Sequence, residues 1–191
     1  MTALWYASRA AGLVSLVLLS ATMTLGVLGV TRFEAPRWPR FVLAALHRNG
    51  ALLAVVFLVL HVSTAVIDPY AGIGWLDALV PFGSVYQPFA LGLGAVAVDL
   101  LLAVLITSML RPWISYRSWR AVHWVAWVCW PIAVIHGFLI GGADSRTGWV
   151  LILTGGCVLA VLAAGAWRMA LGPDAGADPR VGASGGREMR R

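Results

Sequence analysis

Five separate apolar runs leave this chain few folds to choose from, because a helix of roughly 20 such residues crosses the ~30 Å hydrocarbon layer of a bilayer. The runs fall near 5–30, 41–66, 88–110, 119–140 and 147–169. In lipid every backbone N–H and C=O needs an internal partner, so runs of this kind fold as helices. Composition agrees, since 60% of the 191 residues are hydrophobic and 12% are charged, about half the charged share of a soluble domain. The expected fold is all-α, an integral membrane bundle of five transmembrane helices. No basic segment precedes the first run, which is longer than the apolar core of a secretory signal, so it is expected to be a retained helix.

The formal charge of +6 comes from arginine alone, the chain having no lysine. Arg32, Arg37 and Arg40 lie in the first connection, Arg111, Arg117 and Arg120 in the third, and Arg168, Arg180, Arg187, Arg190 and Arg191 at the C-terminal end. The second connection carries Asp68 and Asp77 with no basic residue, and the fourth has only Arg146 beside Asp144. By the positive-inside rule the first and third connections and the tail face the cytoplasm. The chain is thus expected in the plasma membrane, its N-terminus outside and its C-terminus cytoplasmic. A basic balance of this kind serves topology, so no nucleic-acid partner is expected. Residues 171–191, rich in Gly, Ala, Asp and Arg without apolar periodicity, are expected to form a disordered cytoplasmic tail behind a membrane domain of residues 1–170.

Cys129 and Cys157 lie within apolar runs and are expected to be small buried hydrophobes. With no CxxCH motif, a haem in this chain would be held without thioether bonds.

The four histidines are the informative residues. His47 and His61 lie on the second helix, His123 and His136 on the fourth, and none lies elsewhere. Ionisable groups are costly inside a membrane helix and so mark functional sites. The second and fourth helices run in the same direction, which puts His47 level with His123 near the inner face and His61 level with His136 near the outer. Fourteen residues rise roughly 21 Å and turn about −40°, so His47 and His61 share one helix face. Gly50, Ala51 and Ala54 on that side are small enough to admit a flat macrocycle. The thirteen-residue step from His123 to His136 turns the two side chains about 140° apart on a straight helix. Pro131, between them, is expected to kink the axis and redirect the outer half. Paired neutral imidazoles on facing helices hold haem iron in a coordinatively saturated state suited to electron transfer. Packing histidines, a proton relay and a metal-ion pathway are the alternatives, although a metal-ion site clusters its ligands at one level.

These residues resemble the ferric reductase-like transmembrane domain shared by ferric reductases, NADPH oxidases and bacterial haem-binding membrane subunits. The resemblance rests on H-x13-H in LHRNGALLAVVFLVLH, H-x12-H in VHWVAWVCWPIAVIH, Tyr116, Arg117, Trp119 and Arg120 ahead of His123, and the His136–Gly137 pair. It covers roughly residues 5–169. It implies two non-covalent b-type haems stacked across the membrane, an inner one held by His47 and His123 and an outer one by His61 and His136. Many family members continue into cytoplasmic FAD and NADPH domains. Here no flavin or nicotinamide site is expected, so electrons would come from a separate flavoprotein or a quinol.

Arg9, early in the first helix at outer depth, where members of the family have a comparable arginine, either pairs with an outer-haem propionate or attracts an oxyanion or oxygen-derived substrate, or else snorkels to the interface. Arg48, Arg117 and Arg120 are candidates for inner-haem propionates and also serve as cytoplasmic flanks. Asp99, near the middle of the third helix, is expected to orient a histidine or carry a proton. Trp124, Trp127 and Trp130 lie between the two histidines, where Trp127 and Trp130 are candidate aromatics between the haems and packing is the plainer reading. Gly156, Ala160 and Ala164 are expected to form a close helix contact. The segment 67–87, with Tyr70, Trp75, Phe82 and Tyr86, is expected to cover the outer site.

The expected activity is that of a transmembrane di-haem cytochrome b, a haem-dependent oxidoreductase subunit with ferric iron as the leading acceptor. Its rivals are a haem-binding anchor serving a separate extracytoplasmic reductase, as in methionine sulfoxide repair, and a superoxide-producing oxidase subunit.

Overall fold

A computed structural model describes residues 2–31 and 39–171, and every described regular element is helical. Helix α1 spans Ala3–Val30, α2 Arg40–Ile67, α3 Pro88–Met109, α4 Tyr116–His123, α5 Ala126–Ile140 and α6 Gly148–Ala170. The pair α4 and α5 forms one span, giving five helices long and apolar enough to cross a membrane. The expected tail falls, but for its first residue, outside the described residues, as do Arg32 and Arg37.

Local signals set the helix ends. Thr2 caps α1, its hydroxyl accepting from the Trp5 amide at 3.1 Å. Ser115 caps α4 by accepting from the Ser118 amide at 3.1 Å. That cap explains why the fourth span starts at Tyr116, ahead of the apolar run: a capped polar turn carrying Arg117 and Arg120 precedes it.

Packing follows membrane logic, in which lipid is as apolar as leucine and close backbone approach drives association. The buried positions of α1 are mostly small and polar: Ser8, Ala11, Ser15, Ser20 and Thr22. Large side chains such as Leu52, Leu53, Val56, Ile152 and Leu162 point outward. Helix α1 packs most extensively on α2, with Ser15 Oγ donating to the Ala54 carbonyl at 3.1 Å and Ala54 wholly enclosed. A Cβ on Gly50 would come within 3.0 Å of Thr22 Oγ1. Gly50 and Ala54 therefore seat α2 on α1, which corrects the expectation that they relieve a face for a ligand. The expected contact surface at Gly156, Ala160 and Ala164 is also corrected. Gly156 and Ala160 are exposed, and α6 buries Val150, Cys157 and Val161 instead. Cys129 and Cys157 are buried free thiols.

Helices α2 and α5 have no extensive contact with each other; α1 backs α2, and α3 backs α5. Trp130 Nε1, donating to Ser20 Oγ at 2.9 Å, ties α5 across to the other layer, and Cys129 Sγ–H, donating to the Ala97 carbonyl at 3.3 Å, ties it to α3 within its own. The fourth span breaks at Trp124–Val125, where the amides of Val125, Trp127 and Val128 bond three residues back. Pro131 sits inside the regular α5, six residues further on. It has no N–H to offer the Trp127 carbonyl, yet α5 continues through it, and the departure from α-helical bonding lies in the residues ahead of the proline. Each residue wound at three per turn advances ~20° more than in an α-helix, so three of them recover about 60° of the 140° offset between His123 and His136.

Candidate functional site: two histidine pairs between helix layers

The break and the backing helices bring the histidines together in two pairs. His47 and His123 have ring centroids 6.1 Å apart, and His61 and His136 6.2 Å. The first pair is called inner and the second outer, after the arginine distribution. Two imidazoles bound end-on to one metal at about 2.0 Å, with ~1.1 Å from Nε2 to ring centre, stand about 6.2 Å apart. Both separations are of the size at which two imidazoles would hold one metal ion between them. No group of three or more His, Cys, Asp or Glu able to hold a metal ion occurs among the described residues.

Three of the four rings are oriented through Nδ1. His47 Nδ1 lies 2.9 Å from the Thr22 carbonyl, His61 Nδ1 2.7 Å from the Ser8 carbonyl, and His136 Nδ1 2.7 Å from the Ala90 carbonyl. A carbonyl only accepts, so each Nδ1 carries the proton and each Nε2 keeps its lone pair free for a ligand role. Glycine makes room for the same three rings. A Cβ on Gly12 would lie 2.9 Å from His61 Nδ1, one on Gly26 3.1 Å from His47 Cε1, and one on Gly94 2.6 Å from His136 Cε1.

None of these supporting residues stood out when the histidines were read alone, yet α1 does carry the signal. Ser8 and Thr22 are fourteen residues apart, as are Gly12 and Gly26, matching the step from His47 to His61 on the antiparallel neighbour. His123 departs from the pattern, its Nδ1 being buried without a hydrogen-bond partner. The Trp119 ring stacks on it at 4.9 Å, and Arg111 lies 4.5 Å over Trp119.

A cavity of about 560 Å³ opens beside the outer pair, lined by His61, His136, Gly12, Gly94, Arg9 and Asp144 among others. Its size suits a cofactor-sized ligand. The paired imidazole donors suit a haem-type group, and at the outer pair the cavity and two glycine seats add the room for one.

Residues 11–134 match the family of ferric reductase like transmembrane components, a stretch covering 124 of 191 residues and three of the four histidines. The chain belongs to this family. No curated protein and no solved structure matches it. A ferric reductase-like transmembrane domain is a membrane electron-transfer component, and the five apolar helices make this one a multi-pass membrane protein.

The remaining candidate residues of this ferric reductase-like domain separate clearly. Arg9 reaches the C-terminal end of α5, donating to the carbonyls of Gly141 at 3.0 Å and Ile140 at 3.3 Å and pairing with Asp144. It also lies 4.7 Å over the Trp5 ring, at the edge of the outer cavity. Arg48, Arg117 and Arg120 are exposed and form no ion pair among the described residues. Asp99 is half-buried on α3 and makes no hydrogen bond among the described residues. Trp130 is buried against Ser20, which on α1 lies between Gly12 and Gly26 and so between the two histidine levels. Trp127 turns toward α6, 3.4 Å from where a Cβ of Gly165 would sit, and stacks on Trp124.

The connection from α2 to α3 lies over the outer end. Asp68, 1% exposed, accepts from Thr2 Oγ1 and from the Tyr70 amide. Trp5 packs against Tyr70 and Tyr86. Phe82, at a φ of 64°, fills the notch that Gly92 leaves on α3. Ile73, Asp77 and Ala78 from this connection line the outer cavity.

Proposed function

We propose that this chain is a transmembrane di-haem cytochrome b that passes single electrons from a cytoplasmic flavoprotein or quinol donor to an extracytoplasmic acceptor, ferric iron first among the candidates. The observation that carries the reading is the pair of His–His separations, 6.1 and 6.2 Å, with backbone carbonyls fixing three of the four rings. In this reading His47 and His123 would hold an inner b-type haem, and His61 and His136 an outer one, within a membrane domain of residues 1–170. Bound there, haem would supply reversible one-electron chemistry.

The residues of the chain do the rest. The carbonyls of Ser8, Thr22 and Ala90 hold the ligating tautomer and strengthen the nitrogen donor. Ser15, Ala54, Ser20, Trp130 and Cys129 fill the space between the two levels and keep water out. Arg9, at the cavity edge, is placed to meet a propionate by exchanging its hold on Asp144. The connection 67–87 controls approach from the outer side.

A haem-to-protein ratio with a reduced-minus-oxidised spectrum on purified, detergent-solubilised protein tests this reading. About two low-spin b-type haems per chain is the expected result; a chain that takes up no haem when haem is ample refutes it.

A second reading has the chain deliver electrons to a separate extracytoplasmic reductase. It draws on the apolar surface that the outer connection presents, with Leu76 74% and Val85 98% exposed. Ferric complexes reduced by the chain and its donor alone speak for the first reading, and turnover only after a soluble partner is added speaks for the second.

A further inference from the structure

The four histidines are seated in two different ways. His47, His61 and His136 each have a carbonyl acceptor for Nδ1 and a glycine behind the ring, whereas His123 has neither. The backing helices show why. On α1, moving fourteen residues from Ser8 and Gly12 arrives at Thr22 and Gly26, a second seat of the same kind. The same step along α3 from Ala90 and Gly94 arrives at Val104 and Ser108. The glycine has become serine there, and the Val104 carbonyl already accepts from Ser108 Oγ at 2.6 Å and from Thr107 Oγ1 at 3.2 Å. What lies against His123 instead is a stack one helical turn long: Trp119 at 4.9 Å and 25° to its ring, with the Arg111 guanidinium 4.5 Å over the indole. The Trp119 Nε1 is itself buried without a partner, so the indole is placed by its faces and not by its N–H.

We propose that Trp119 and Arg111 are positioning residues for His123, replacing the carbonyl-and-glycine seat, and that together they raise the reduction potential of the haem held by the His47–His123 pair above the value it would have without them. An imidazole that donates Nδ1–H to a carbonyl becomes a stronger donor and favours Fe(III); His123 lacks that bond and has the Arg111 guanidinium on the far side of the Trp119 ring, and both features favour Fe(II). The proposal rests on the haem reading above.

The test combines electron paramagnetic resonance of the oxidised full-length protein with a potentiometric titration, dithionite supplying the electrons. His47→Ala identifies the inner signal as the one it removes. Trp119→Ala should shift or broaden the inner low-spin signal alone, Trp119→Phe, which keeps a stacking ring, should preserve it, and Arg111→Gln should lower the inner midpoint while leaving the outer one in place. An inner signal unmoved in Trp119→Ala, an inner midpoint unmoved in Arg111→Gln, or both midpoints shifting together there overturns the proposal. Should Trp119→Ala fail to fold, the Trp119→Phe and Arg111→Gln results decide. Two low-spin haems with none of these responses refute this inference and spare the haem reading, whereas absence of haem from the unaltered protein refutes both.

Discussion

Replacing Gly94 with alanine adds one methyl group behind His136, and its consequence can be worked from the geometry. The new Cβ would stand 2.6 Å from Cε1, 2.7 Å from Nδ1 and 3.1 Å from Nε2 of the imidazole. Ordinary contact begins near 3.4 Å, so the ring must retreat by roughly 0.8 Å in a packed interior that has little give. That movement also strains the Nδ1–H bond to the Ala90 carbonyl, now 2.7 Å long. Overpacking of this kind costs about 1–3 kcal/mol and a lost hydrogen bond about 1 kcal/mol, so haem held by the outer pair should bind roughly 30- to 1000-fold more weakly. Haem content and low-spin resonance signals of the purified variant are the readout, and haem should fall from about two per chain to about one with the inner signal intact. The other seats should respond in the order of their clearances, Gly12→Ala at 2.9 Å next and Gly26→Ala at 3.1 Å least. Gly155→Ala, with nothing within 4 Å, is the control and should change nothing. Retention of both haems with unchanged signals in Gly94→Ala, or loss that ignores this order, would refute the reasoning.

Other expectations follow from the same contacts. His61→Ala or His136→Ala should remove the outer haem and His47→Ala or His123→Ala the inner, as read from haem content and spectra; equal partial loss of both from any one change contradicts the pairing. Ala54→Leu forces a large side chain into a wholly enclosed site between α1 and α2, which should cost about 1–3 kcal/mol or more and lower the thermal unfolding temperature in detergent; an unchanged temperature would mean that α1 and α2 do not meet there. Arg9→Ala removes two carbonyl contacts at the end of α5 as well as the Asp144 pair, whereas Asp144→Ala removes only the half-exposed pair. Thermal unfolding should therefore show a loss of about 1–2 kcal/mol for the first and under about 1 kcal/mol for the second, and the reverse order would argue that the ion pair dominates.

The amino-acid sequence by itself determined the five spans, because length and hydropathy are properties of a run and lipid leaves the backbone no alternative to a helix. It also determined which residues were exceptional, since four histidines within apolar helices stand out without any coordinates. The 14-residue step between His47 and His61 placed both on one face, and even their seats on α1 were legible in the matching steps of Ser8 to Thr22 and Gly12 to Gly26. Only the tertiary structure decided the rest. The fourth span breaks at Trp124–Val125 and runs on as regular helix through Pro131, a position that the proline alone does not mark. Whether a small residue faces a ligand or a neighbouring helix depends on the rotation of one helix against another. Gly50 and Ala54 turned to α1, while Gly94, which carried no signal of its own, turned to His136. Arg9 and Arg111 likewise acquired partners from other elements, and a partner that arrives through packing leaves no trace in local spacing.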